Sequence, residues 1–325
     1  MTVLYALALI GGFIALVKGA DVFVNGSAAL AKIFHVPSLI IGLTIVALGT
    51  SAPELAVSSS AALQGSNEIA LSNVLGSNVF NLLGVLGVCA IIHPLPVEKA
   101  VLKRDFPFSI MVTALVLIVS CAPALLRGLP VKLDFEQEVG MVTRLTGLLL
   151  IVLLVGYICI LIYSTKKHTA EEAEEEKTPV WKCLLLIAAG LVLIIFGGKA
   201  VVYGAREIAR AAGMTETLIG LTIVAIGTSL PELVTSIVAA RKGETGLAIG
   251  NVIGSNIFNI LFILGVSSLI NPIAVNAASL CDITLLLGIS LLAFLFSSSA
   301  GRIARAEGIA MVVIYIADVV FAVIR

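Results

Sequence analysis

Long apolar runs alternate along this chain with short polar joins. A spanning helix needs about 20 mostly apolar residues. Ten segments fit that pattern: 3–30, 38–63, 69–92, 106–126, 145–163, 183–208, 217–240, 246–270, 282–298 and 307–324. The joins carry turn and charge signals, as in HPLPVEKAVLKRD (93–105), RGLPVKLDFEQEVGMVTR (127–144), RKGE (241–244) and SSSAGRIARAE (297–307). Strands of a membrane barrel would alternate apolar and polar residues over about ten positions, whereas these runs are continuous. The pattern predicts an all-α membrane protein of ten transmembrane helices. The first stretch, MTVLYALALIGGFIALVKGA, lacks a basic leader and is expected to be a retained first span.

The pattern also repeats. GLTIVALGTSAPEL begins at Gly42 and GLTIVAIGTSLPEL at Gly220, matching at 12 of 14 positions with an offset of 178. NVLGSNVFNLLGVLG from Asn73 and NVIGSNIFNILFILG from Asn251 keep the same offset and match at 10 of 15. Two blocks in constant register mean an internal duplication. Each repeat holds five spans, an odd number, so the second copy enters the membrane from the opposite side. The expected architecture is two inverted-topology five-helix repeats, with broken helices 2 and 7, as is typical of secondary transporters. The halves are 1–163 and 183–325, and the segment 164–182 (STKKHTAEEAEEEKTPVWK) is a solvated acidic linker. A regulatory cation site is the other reading of that linker.

Composition fits this picture. The chain is 59% hydrophobic and 12% charged, against about 25% charged in soluble domains. Net charge is zero and there is no basic block, so nucleic acid is not an expected partner and the lipid bilayer is. Cys89, Cys121, Cys159, Cys183 and Cys281 are scattered singly and read as small apolar residues. Twelve lysines and arginines fall in joins on the linker side and six on the other. The positive-inside rule then places the linker in the cytoplasm and both termini outside, in a multi-pass plasma-membrane protein.

Each opening motif drives a proline and a glutamate into an apolar run. Pro53 and Pro231 cannot donate to the carbonyls of Gly49 and Gly227, which frees carbonyls around 47–50 and 225–228. Bare carbonyls are tolerable in a membrane where they line a cavity or hold a cation. A charge at mid-bilayer costs at least about 2.5–3.5 kcal/mol, which makes Glu54 and Glu232 functional candidates. Thr50, Ser51 and Glu54 share a helical face, as do Thr228, Ser229 and Glu232. In the second blocks, Asn73, Ser77 and Asn81 recur on one stripe, and Asn251, Ser255 and Asn259 repeat it. Of these, Ser77, Asn81, Ser255 and Asn259 are the site candidates. Asn73 and Asn251, with Asn78 and Asn256 off the stripe, read more simply as interhelical hydrogen bonders. Hard oxygen donors suit Ca²⁺, Mg²⁺ or Na⁺. Two ionised glutamates carry −2, which one Ca²⁺ or two Na⁺ cancels; a third Na⁺ leaves +1. Protonation is a third way to neutralise them, so H⁺ is an expected competitor.

GTSAPEL with GSNVFN, repeated as GTSLPEL with GSNIFN, resembles the alpha repeats of the cation/Ca²⁺ antiporter superfamily, in particular its compact prokaryotic Na⁺/Ca²⁺ exchangers. The resemblance implies Ca²⁺ held by Glu54, Glu232 and the carbonyls of Thr50 and Thr228. It implies Na⁺ sites built from those glutamates, Ser51, Ser77, Ser229, Ser255 and the carbonyls of Ala47 and Ala225, with Asn81 and Asn259 completing the centre. It further implies alternating access, three Na⁺ per Ca²⁺, no cofactor beyond the transported ions, and spans 1 and 6 as a sliding gate carrying Gly11, Gly12, Gly19, Gly190, Gly197 and Gly198. Some relatives, including K⁺-dependent exchangers, place Asp where this chain has Asn259, which argues against K⁺ co-transport. A monomer is the expected unit.

The alternatives are H⁺/Ca²⁺ or other cation-coupled antiport on the same scaffold, a passive cation channel, and an intramembrane enzyme. A channel would not need inverted halves. An enzyme is disfavoured because Asp21, Asp282 and Asp318 do not pair by motif, and His35, His93 and His168 all sit in joins.

Overall fold

The computed structural model describes residues 2–127, 137–165, 178–214 and 225–324. Most of the acidic linker (166–177), part of the join after the fourth span (128–136), the start of the seventh span (215–224) and Arg325 lie outside the described residues.

The apolar runs fold into helices, as helices alone among open structures satisfy their own backbone in lipid. They are α1 (Thr2–Ile33), α2 (Ser38–Thr50), α3 (Ala52–Leu63), α4 (Glu68–Ile92), α5 (Phe106–Arg127), α6 (Arg144–Thr165), α7 (Val180–Ala211), α8 (Ala225–Thr228), α9 (Leu230–Arg241), α10 (Thr245–Ile270), α11 (Ala277–Ser299) and α12 (Arg305–Ile324). Among the described residues, seven helices are long and apolar enough to cross a membrane, and the pair α2–α3, bent by 48° at Ser51, makes an eighth. The other two expected spans correspond to α8–α9, whose leading residues lie outside the described set, and to α12, which carries Arg305, Glu307 and Asp318.

The 178-residue register persists in the helix ends. Gly65 (φ 75°) and Gly243 (φ 79°) stop α3 and α9 in the left-handed conformation that glycine adopts without penalty. The following N–H groups reach back alike, Ser66 to Ala61 O (2.9 Å) and Glu244 to Ala239 O (3.0 Å).

Small residues let the helices approach to backbone contact, the usual packing device where lipid gives no hydrophobic drive between helices. α1 and α7 lie antiparallel along their length. A Cβ at Gly12 would fall 2.7 Å from Val201 N, and one at Gly190 2.7 Å from Phe23 N. Gly19 and Gly197 are equally close to the facing helix, but Gly11 meets nothing within 4 Å. Gly198 meets Leu16 and Pro231 at ordinary distances, whereas Gly26 and Gly204, which the pattern did not single out, join the contact. α4 meets α12 at Gly87–Gly308, and α10 meets α6 at Gly265–Gly147. Two short antiparallel pairs tie loops at the bundle ends: β1 (Leu95–Pro96) with β4 (Arg302–Ile303), and β2 (Glu138–Val142) with β3 (Ile273–Asn276).

One join is shorter than its sequence suggests. A π-helical turn, Val101–Asp105, leads into α5, so Asp105 is fully buried. Arg104 Nε donates to Asp105 Oδ1 at 2.7 Å and Nη2 to Oδ2 at 3.1 Å. Tyr157 Oη adds a bond to Oδ1 at 2.9 Å. This buried charge is paired and hydrogen-bonded, the condition under which burial is tolerated.

Gly190→Ala is expected to destabilise the fold by about 1–3 kcal/mol, the usual cost of overpacking. Gly11→Ala should be neutral or slightly stabilising. Thermal unfolding of both variants in detergent checks the contrast, and equal melting temperatures would contradict the α1–α7 contact.

Candidate cation site at the centre of the bundle

The two glutamate motifs meet in the middle. Each broken span interrupts at a serine, Ser51 (φ −82°, ψ 8°) and Ser229 (φ −94°, ψ 8°). Pro53 and Pro231 stand at the second position of the new helices α3 and α9, where a missing N–H costs nothing because first-turn donors have no intrahelical acceptor. The prolines thus start helices rather than kink continuous ones. Glu54 and Glu232 fall in first turns, where the helix dipole favours negative charge.

Both glutamates are fully buried, as are Thr50, Ser229, Ser255, Asn81, Asn259 and Ala47; Ser51 and Ser77 are nearly so. The contacts cross between repeats. Ser51 Oγ donates to Glu232 Oε1 at 2.9 Å, and Ser229 Oγ donates to Glu54 Oε1 at 2.9 Å. Within each repeat, Ser77 Oγ reaches Glu54 Oε1 at 3.4 Å and Ser255 Oγ reaches Glu232 Oε1 at 3.5 Å. Thr50 Oγ1 donates to Asn251 Oδ1 at 2.9 Å. Thr228 is half-buried at the edge of the centre.

The expected loosening of carbonyls is uneven. The Ala47 carbonyl accepts the Ser51 N–H at 3.0 Å, so that bond survives the break. In the second repeat the Ser229 N–H goes instead to Ile226 O at 3.2 Å, a tighter turn that bypasses Ala225.

An asparagine clasp holds the halves together. Asn78 Nδ2 donates to Asn256 O and Asn256 Nδ2 to Asn78 O, each at 3.2 Å. Asn81 Nδ2 donates to Asn256 Oδ1 at 3.1 Å and Asn259 Nδ2 to Asn78 Oδ1 at 2.9 Å. Asn78 and Asn256 are therefore the interhelical hydrogen bonders their position off the stripe suggested, and they also aim Asn81 and Asn259. Asn73 bonds Ser58 Oγ, and Asn251 bonds Ser236 Oγ, both at 2.9 Å. Ser58 and Ser236 escaped the sequence reading; their recurrence at an offset of 178 was the available signal. π-helical turns, Phe80–Val85 and Asn259–Leu264, include Asn81 and Asn259, a device frequent at functional sites.

Four oxygens in this centre have no hydrogen-bond donor: Glu54 Oε2, Glu232 Oε2, Asn81 Oδ1 and Asn259 Oδ1. Among the other buried side chains of the described residues, only the hydroxyls of Ser27, Ser120, Thr235 and Ser267 share that condition. An orphaned buried acceptor costs about 1–3 kcal/mol, more if charged. Four hard oxygens in symmetry-related pairs are a donor set for a cation such as Na⁺ or Ca²⁺. Among the described residues no group of three or more His, Cys, Asp or Glu could hold a metal, so the centre has two carboxylates.

A cavity of about 820 Å³ runs between α3 and α7 from Gln64 and Arg210 to Pro53, Thr228 and Pro231. It leads from one end of the bundle toward the glutamates.

Apolar spans around a buried, two-sided oxygen cage with a one-sided cavity define a multi-pass membrane transporter of cations. Known relatives agree with that class and narrow it. The chain belongs to the sodium/calcium exchanger protein family, whose model matches residues 4–163 and 182–324. It is 38% identical over 317 residues to the putative antiporter CaxA of Alkalimonas amylolytica, covering 94% of each chain. It is 33% identical to the sodium/calcium exchanger MaX1 of Methanosarcina acetivorans, covering 97% of each. Its fold matches that of the sodium-calcium exchanger NCX_Mj with a TM-score of 0.82 at 32% identity, over 98% of this chain and 99% of that one. The resemblance read from the two motif pairs is thereby borne out at the level of family.

Asn78→Ala should lower stability by about 1–3 kcal/mol, because it strands the Nδ2 of Asn259 in the core. Thermal unfolding in detergent checks this. A change below about 0.5 kcal/mol, the range of ordinary surface substitutions, would show that the clasp is not structural.

Proposed function

We propose that this chain is a secondary active antiporter that exchanges Na⁺ for Ca²⁺ across the plasma membrane by alternating access. The observation that carries the reading is the set of four orphaned oxygens, two of them carboxylate, at the meeting point of the two motifs. Ca²⁺ takes six to eight oxygens. Here Glu54 and Glu232 supply the charge, the carbonyls of Thr50 and Thr228 add neutral donors, and Asn81 and Asn259 line the centre. Na⁺ is held by the same glutamates with Ser51, Ser77, Ser229 and Ser255 and the carbonyls of Ala47 and Ala225. Because both ion sets need the same two carboxylates, they compete, and competition for one site is the basis of exchange.

In this reading the chain has ten spans in two inverted halves, 1–163 and 183–325, around a cytoplasmic linker at 164–182. The reciprocal hydrogen bonds at an offset of 178 support that symmetry. Three Na⁺ against one Ca²⁺ makes transport electrogenic. Two carboxylates rather than three make it independent of K⁺. Protons compete by neutralising the glutamates, and one chain suffices as the transport unit. By the distribution of lysine and arginine, the large cavity faces outward and both termini are extracellular.

The test is Ca²⁺ uptake into proteoliposomes driven by an outward Na⁺ gradient at clamped pH. We expect uptake that generates current, is unchanged by K⁺, and is abolished by Glu54→Gln or Glu232→Gln. Uptake that follows a pH gradient and ignores Na⁺ would move the reading to H⁺/Ca²⁺ antiport, and near-normal exchange in either variant would refute the shared site. Asn259→Asp adds a third carboxylate and is expected to shift the pH or cation dependence with the fold intact. An unchanged ion profile in that variant would make the position peripheral.

A further inference from the structure

The 178-residue register makes the two ends of the bundle comparable position by position, and they are not closed alike. At the end of α9, Lys242 Nζ sits 2.6 Å from Asp21 Oδ1 and 2.5 Å from Asn25 Oδ1, both on α1. It also donates to the Asp21 carbonyl at 3.3 Å. The register maps Lys242 onto Gln64, Asp21 onto Lys199 and Asn25 onto Tyr203. It is dependable here because Gly12 and Gly19 of α1 correspond to Gly190 and Gly197 of α7, and these four make the mutual close contacts.

The mirror positions do not pair. Gln64, Lys199 and Tyr203 line the cavity of about 820 Å³ that separates α3 from α7. Gln64 bonds Ser60 on its own helix at 3.0 Å, and Lys199 lies 5.8 Å from the ring of Phe196 on its own helix. Glu207, the acid lining that cavity, is engaged by Arg210 at 2.5 Å. One end thus has a cation facing an anion, and the other has an amide facing a cation. The end with the ion pair has smaller cavities, one of about 320 Å³ beside Ala28 and Lys242 and one of about 590 Å³ lined by Pro37, Glu98 and Arg104.

We propose that Lys242, Asp21 and Asn25 form a one-sided latch. It ties α1 to α9, keeps the Lys242 end closed, and biases the resting population toward the state open at the Gln64 end. The inference rests on the antiport reading only in requiring that the two ends open alternately. The three residues are positioning residues, since none touches the glutamate centre. The same logic predicts that a carboxylate at Gln64 would complete a mirror latch with Lys199 and bias the population the other way.

The test uses two reporter cysteines in the full chain carrying Cys159→Ser, labelled in detergent with a charged maleimide. Ser60→Cys reports on the large cavity and Ala28→Cys on the Lys242 end. An exposed ion pair shifts a two-state equilibrium by roughly two- to five-fold. Lys242→Gln is expected to slow labelling at Ser60→Cys and speed it at Ala28→Cys by factors of that size, and Lys242→Arg to restore both rates. Gln64→Glu should shift both reporters in the same sense as Lys242→Gln, and it carries the test if Lys242→Gln fails to fold. Unchanged rates, or rates that rise together at both ends, would overturn the latch. Labelling requires no particular ion, so this result stands apart from a failure of Na⁺-driven Ca²⁺ uptake.

Discussion

Two carboxylates stand fully buried at the centre of an apolar bundle, and the rest of the structure answers to that constraint. Each carboxylate leans on a serine from the other repeat, Ser229 for Glu54 and Ser51 for Glu232. The shortest bond to each glutamate comes from the other half, and the bonds from within its own half are longer, so the centre is complete only when the halves are joined. The remaining oxygens of the two glutamates find no donor. A bundle assembled around unsatisfied acceptors holds a standing demand for positive charge, and transport follows if that demand is met from alternate ends.

The supporting structure divides by stiffness. The asparagine clasp fixes the relative position of α4 and α10 through bonds in both directions. Short strands tie the loops at either end of that core. α1 and α7 are held differently, by close backbone contact at glycines, with Phe23, Leu193 and the ring pair Tyr5–Tyr203 packing beside them. Interlocked side chains resist sliding because every displacement breaks packed contacts; smooth backbone ridges resist it less. The mobile part of such a machine is thus expected where glycine contacts dominate, and the ion-holding part where polar bonds do.

Much of this was legible in the residues. Eight of the ten apolar runs fold into spans long and apolar enough to cross a membrane, one of them a bent pair, and GTSAPEL with GTSLPEL located both glutamates and both breaks. The legible features were those with a local cause: an apolar run long enough to span, or a proline that ends one helix and starts another. What escaped depends on partners far along the chain. Nothing local in GSNVFN tells that Asn78 bonds Asn256 rather than an ion. The π-helical turns at Phe80–Val85 and Asn259–Leu264 have no compositional mark. Asp105 read as part of a polar join, because its burial depends on Tyr157, 52 positions later. Gly26 and Gly204 looked like scattered glycines until the antiparallel pairing of α1 and α7 made them neighbours.

The asparagine clasp has one more consequence. Contacts in which residue i of one half bonds residue j of the other, and j bonds i in return, are those of an isologous dimer. Under the inverted arrangement, a five-span chain carrying a single Ser51, Glu54 and Asn78 would present every one of these contacts to a copy of itself inserted the other way up. On that arrangement, joining two such copies in one chain would add no new kind of bond at the centre. It would remove the need for two chains to meet, and it would free the two ends to differ, giving one molecule a front and a back.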